Sequence, residues 1–301
     1  MKKKNNKTLA YRVLYGIAYS FALLPFPILY LFSDMFYVFI CHVVHYRRKI
    51  VRENIRNSFP EKNEKERRRI ERKFYRHLCD YFVETLKTLT LTESEVRKRM
   101  KFENPEILNR LTKNGNSCFI SLGHYANWEW VPSIGMYLAP EIVQGQVYQK
   151  IRNNAFDKLF RVIRSKFGPT SIERNDVIRT LVRHKEEGKP MVIGFLSDSR
   201  PHPNENSHWI KFLNQDTPVQ LGMERIASWE GYAIVYLDLK KVKRGYYIGK
   251  FFVITADAST EPKFSIMQKY MRKLEETILS EPAYYLWSHN RWKYKKQCEV
   301  K

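Results

Sequence analysis

Hydrophobic and polar positions change period along the chain. From 13 to 44 apolar and aromatic residues run almost unbroken, with Asp34 as the one formal charge and Pro25 and Pro27 as interruptions. The stretch 13–24 is too short to cross a bilayer as a straight helix, which takes roughly 20 residues. A kinked span and a helical hairpin dipping into one leaflet both remain open. From Asn63 the apolar positions Ile70, Phe74, Leu78, Tyr81, Phe82, Leu86 and Leu89 recur at three-to-four spacing, which predicts a helix with one packed face. Its other face carries Arg67, Arg68, Arg69, Arg72, Lys73 and Arg76, a pattern that fits a solvated face as well as a surface for lipid or acidic protein.

Beyond Phe102 short apolar runs alternate with amphipathic ones. Strands are predicted over 118–122, 142–148, 190–196 and 233–239, with 246–254 as the hairpin partner of the last. Helices are predicted over 106–113, 129–137, 153–167, 176–187, 219–230 and 264–279. Strands alternating with helices predict an α/β domain with a mainly parallel central sheet flanked by helices. The chain divides into a basic, hydrophobic membrane-anchoring segment, 1–49, and an α/β domain, 50–301.

Charge sharpens this picture. The formal charge is +22, so the partner is expected to be acidic: nucleic acid, an anionic membrane, a phosphorylated substrate or an acidic protein. Residues 1–76 hold 18 Lys/Arg against 6 Asp/Glu, which concentrates the charge around the apolar run, as for attachment to a cytoplasmic leaflet. A cleaved signal peptide fits less well, because the apolar run is long and no small-residue cleavage site follows it. Helix-turn-helix, zinc-finger, RNA-recognition and cold-shock signatures are absent, so a nucleic-acid partner is not expected. Cys41, Cys79, Cys118 and Cys298 lack metal or disulfide spacing and fit a reducing compartment; no metal or other cofactor is expected.

The chemistry concentrates at 118–130, CFISLGHYANWEW. A buried strand breaks at Gly123 and delivers His124 at its carboxyl end, where active sites of parallel sheets lie. Glu129 follows five residues later, and a carboxylate facing one ring nitrogen leaves the other to take a proton from a hydroxyl. The same spacing also fits a histidine that caps a helix or fills a core niche.

The block 123–130, GHYANWEW, resembles the "G-H-x-x-N-W-E" block of the bacterial lipid A late acyltransferases, the lauroyl/myristoyl transferases of the lysophospholipid acyltransferase superfamily. Four further segments are similar in order and spacing. They are 52–60, RENIRNSFP; 147–150, VYQK, with 164–168, RSKFG; 195–198, FLSD, with 212–218, FLNQDTP; and 282–293, PAYYLWSHNRWK. The resemblance implies a glycerol-phosphate acyltransferase-like fold and a membrane-bound O-acyltransferase. On that reading His124 is the general base, Glu129 orients it, and no acyl-enzyme forms. Asn127, Arg164, Asp198, His289 and Arg291 are then substrate-binding candidates, with Arg164 first for the oxyanion or a phosphate.

The resemblance also implies acyl carrier protein as donor, with acyl-CoA the other possibility, and a lipid A-type glycolipid as acceptor. It implies placement at the inner membrane, among its lipids, with the catalytic domain in the cytoplasm. An aminolipid or lysophospholipid acceptor is the alternative, although the N-H-x-x-x-x-D and E-G-T-R blocks of lysophosphatidic acid acyltransferases are missing. The sequence departs from the family pattern at Gln149, Ser199, Asn214 and Asn290, where the family has Arg, Gln, Gly and Arg.

Overall fold

The computed structural model describes residues 2–202 and 208–295; Cys298 lies outside them. Two apolar helices open the chain. α1 (Lys2–Leu23) ends before Pro25, and α2 (Phe26–Val38) runs on into a π-helical segment, Phe39–Val44. Pro27 falls in the first turn of α2, where its missing N–H costs no ladder bond. Phe26–Val44 is long and apolar enough to cross a membrane, with mean hydropathy 1.7. Leu9, Val13, Ile17, Leu31, Met35 and Val43 are exposed along this pair.

The basic helix is present as α4 (Glu64–Lys87), preceded by α3 (Arg48–Ser58). α4 starts with a capping box, in which Glu66 N donates to Asn63 Oδ1 and Asn63 N to Glu66 Oε2. Ile70, Phe74, Leu78 and Tyr81 are buried as the spacing predicts, but Phe82 is 47% exposed. Adjacent residues stand about 100° apart on a helix, so Tyr81 and Phe82 do not share the narrow face. Both apolar helices dock on α4 through polar contacts. Ser33 Oγ donates to Asp80 Oδ1 at 2.7 Å and Tyr30 Oη to Glu84 Oε1 at 3.0 Å. Lys87 Nζ donates to the carbonyls of Ala22 and Leu24, satisfying acceptors that the end of α1 leaves open.

After α5 (Glu93–Arg99) the sheet begins. Its strands are β1 (Met100–Glu103), β2 (Cys118–Leu122), β3 (Val143–Tyr148), β4 (Thr170–Glu173), β5 (Met191–Leu196), β8 (Ala233–Lys243) and β9 (Tyr246–Thr255). They form a seven-stranded sheet in the order β1-β9-β8-β2-β5-β3-β4. Every pairing is parallel except the β8–β9 hairpin. α6 (Glu106–Thr112), α7 (Asn154–Ser165), α8 (Val177–Glu186), α9 (Gly222–Glu230) and α10 (Ser265–Ser280) flank it, as the alternating pattern predicts. α1 packs on α7 through Ala18 and Ala22 against Leu159 and Ile163.

The local differences have physical causes. The helix expected over 129–137 is a 3₁₀ helix, Trp128–Tyr137, because Pro132 has no N–H to donate to an α-helical ladder. The helix expected over 219–230 starts only at Gly222. Before it, β6 (His208–Phe212) and β7 (Gln215–Val219) make a separate antiparallel hairpin. Its turn residues Leu213 and Asn214 both have positive φ, 50° and 63°, so the Asn at the family's Gly position serves a turn that tolerates Asn. β1 and β4, unforeseen in the sequence, are four-residue edge strands.

Candidate active site

β2 is buried at all five positions and hands the chain to a loop that is clamped on several sides. A side chain at Gly123 would put its Cβ 2.5 Å from Leu274 Cδ1, so the strand end and α10 approach as closely as glycine permits. Leu286 N donates to His124 O, and Ala126 N donates to Tyr284 O, both at 3.0 Å. Thus the aromatic block 282–287 holds the loop. Ala126 sits in the left-handed region at φ 52°, a conformation that costs a non-glycine residue about 1 kcal/mol. Its carbonyl accepts from His77 Nε2 of α4 at 3.2 Å. Burial holds the His77 imidazole well below its ordinary pKa, so it serves as a neutral donor.

His124 Nδ1 lies 2.7 Å from Asp198 Oδ1. Leu122 is in register with Leu196, so the loops after β2 and β5 both leave the carboxyl edge of the sheet and bring these side chains together. Burial opposes ionisation of Asp198. The charge and hydrogen bond of His124 outweigh it, aided by Arg291 and His289, and hold the carboxyl well below the usual range. An ionised Asp198 can only accept, so Nδ1 donates to it and Nε2 is the ring nitrogen left for proton transfer. The Trp128 ring packs against the imidazole in a T-shaped contact, with centroids 5.1 Å apart.

Glu129 was expected at the imidazole, and it is held elsewhere. It accepts from Arg164 Nε at 2.9 Å and Nη2 at 2.6 Å, with Tyr81 Oη at 3.4 Å. The 3₁₀ turn that begins at Trp128 swings this buried carboxylate toward the end of α7. The structure therefore joins His124 to Asp198 and Glu129 to Arg164; His124 and Glu129 are not hydrogen-bonded to each other.

His124, Trp128, Glu129 and Arg164 line a cleft of about 400 Å³ together with Ile, Leu, Val and Phe side chains and the amides of Gln144, Gln146, Gln149 and Gln220, within the range of small-ligand sites. Asn127 does not line it. That residue is fully buried, and its amide donates to Glu84 Oε2 at 2.7 Å. Arg291 is 1% exposed and lies over the Phe212 ring; its Nε and Nη1 have no hydrogen-bond partner among the described residues. A lipid headgroup at the surface cannot reach it. The Nε2 of His289 is likewise buried without a partner, and burial pushes this imidazole down to about 4.

Sequence reasoning missed Glu84. This buried carboxylate accepts from Tyr30, Asn127 and Tyr247, tying α2, the His124 loop and β9 to α4. Burial pushes its pKa up against the opposing pull of Lys241. A signal existed, since His77, Asp80 and Glu84 interrupt the apolar side of α4 at helical spacing. Among the described residues no three His, Cys, Asp or Glu side chains are placed to hold a metal ion.

The family model described as bacterial lipid A biosynthesis acyltransferase matches residues 2–294. The chain is 22% identical over 280 residues to a lipid A biosynthesis palmitoleoyltransferase of Escherichia coli (strain K12), covering 92% of this chain and 89% of that protein. It is similar to the same extent to a lipid A biosynthesis acyltransferase of Shigella flexneri.

Proposed function

The chain belongs to the bacterial lipid A biosynthesis acyltransferase family, and from that premise we propose that it moves an acyl chain from a thioester to a hydroxyl of a lipid A-type glycolipid precursor, with His124 as general base. The observation that carries this reading is an imidazole whose Nδ1 is bound to an ionised aspartate and which lines a cleft of mixed apolar and polar walls. Nε2 takes the proton of the acceptor hydroxyl as its oxygen attacks the thioester carbonyl. The tetrahedral oxyanion collapses with loss of the thiolate, which recovers the proton from the imidazolium. No covalent enzyme intermediate is needed, in contrast to a serine triad.

Asp198 fixes the tautomer and supports the imidazolium. Arg164 spends Nε and Nη2 on Glu129, which leaves Nη1 for the oxyanion or for a phosphate of the acceptor. Glu129 then positions Arg164. The basic surface suits acyl carrier protein, an acidic donor, and the exposed apolar faces of α1 and α2 suit attachment to the inner membrane with the catalytic domain on the cytoplasmic side.

One observation favours a second acceptor. Gln149 and Ser199, two of the departures from the family pattern, both line the cleft, so an aminolipid or other lipid head group fits as well. Mass spectrometry of total lipids from cells lacking the protein, complemented with the native chain or with His124→Ala, tests both. A lipid A species short by one acyl chain in the deletion and in His124→Ala is expected. An unchanged lipid A with an altered aminolipid supports the second acceptor, and activity retained by His124→Ala overturns the base assignment.

A further inference from the structure

Gly194 occupies the middle of β5, where a glycine weakens a strand and leaves nothing to pack. Neither usual reason for a glycine applies. Its φ lies outside the positive range, and a Cβ built on it would meet no atom within 4 Å. At Gly145, one strand over, the same construction would bring Cβ to 2.7 Å from Ile172 Cδ1. The space in front of Gly194 is cleft.

Strand register shows what passes over it. Leu122 pairs with Leu196 next to the catalytic loop; Ile120, Gly194 and Gln146 form the next row on the same face; Cys118, Val192 and Gln144 form the third. Each row lies about 6.6 Å further from His124 than the one before. Val192, Gln144 and Ile134 line the cleft beyond Gly194, so a chain that runs along β5 from His124 to reach them passes over this residue.

We propose that Gly194 sets the length of the acyl chain that the cleft accepts. The proposal rests on the acyl-transfer reading above. With no side chain at 194 the chain end runs on to the third row. A methyl group narrows the passage, and an isobutyl group closes it, removing the deepest part of the pocket and with it the longer chains. Chain-length choice in an apolar pocket is steep, since one methylene more or less changes discrimination by about tenfold or more.

The test uses the full-length protein, native and as Gly194→Ala and Gly194→Leu. Each is given a mixture of saturated acyl thioesters of graded length with a phosphorylated disaccharide lipid A precursor, and products are resolved by mass. Folding is checked by thermal melting. The expected result is a graded fall in the ratio of long-chain to short-chain product, at least about tenfold for Gly194→Leu and smaller for Gly194→Ala. Unchanged ratios in both folded variants overturn the proposal and leave acyl transfer standing. Gly194→Leu inactive with every length beside an unchanged ratio in Gly194→Ala overturns it too. A native protein that transfers no chain from any thioester sinks the acyl-transfer reading itself.

Discussion

At the scale of single residues, the arrangement separates two carboxylates by task. Asp198 holds an imidazole, and Glu129 holds a guanidinium in a two-point contact. Replacing each by its amide therefore has different consequences. Asp198→Asn removes the anion that supports the imidazolium formed during transfer, so the acid limb of kcat/KM should move to lower pH. The rate should also fall by about 10²–10⁴-fold. Glu129→Gln leaves that limb in place. Instead it strands the partly buried Arg164 charge, lowering stability by about 3 kcal/mol and depressing the rate without a pH signature. pH–rate profiles with thermal melts of both variants check this. A limb that moves in Glu129→Gln but not in Asp198→Asn would return the orienting role to Glu129.

At the scale of elements, the His124 loop depends on the close contact between the end of β2 and α10. Gly123→Ala drives a Cβ into Leu274, and overpacking of that kind costs about 1–3 kcal/mol. A melting temperature within error of native would contradict this. The strands at 118–122 and 190–196 and the hairpin at 233–254 were legible because they are apolar runs bounded by glycine, polar or charged residues. β1, β4 and the β6–β7 hairpin were not, because four or five residues at an edge carry too little periodicity, and the Leu213–Asn214 turn lacks the Asn-Gly signature. The residue types of the candidate site could be named from the sequence, and their pairing could not. His124, Glu129, Arg164 and Asp198 could all be picked out of the sequence. Which carboxylate meets the imidazole depends on the 3₁₀ turn after Trp128 and on β2–β5 register, and neither is encoded in five-residue spacing.

At the scale of the whole molecule, the N-terminal helices are built into the domain. Tyr30 and Ser33 meet buried carboxylates of α4, and Asp34 pairs with Arg244 near the β8–β9 turn at 2.7 Å. On the membrane reading, exposed apolar side chains on α1 and α2 hold the protein by burial, and the basic residues around them add a screened attraction. Washing membranes with concentrated salt should leave the protein in the pellet, and detergent should release it; release by salt alone would refute insertion.

The ion pair at Asp34 carries one more consequence. Asp34 lies near the middle of Phe26–Val44, and Arg244 and Asp80 meet there. A straight crossing would bring those charges to the hydrocarbon midplane, where they are costly. On the membrane reading, a helix tethered at mid-length lies along the interface and takes up area in one leaflet only.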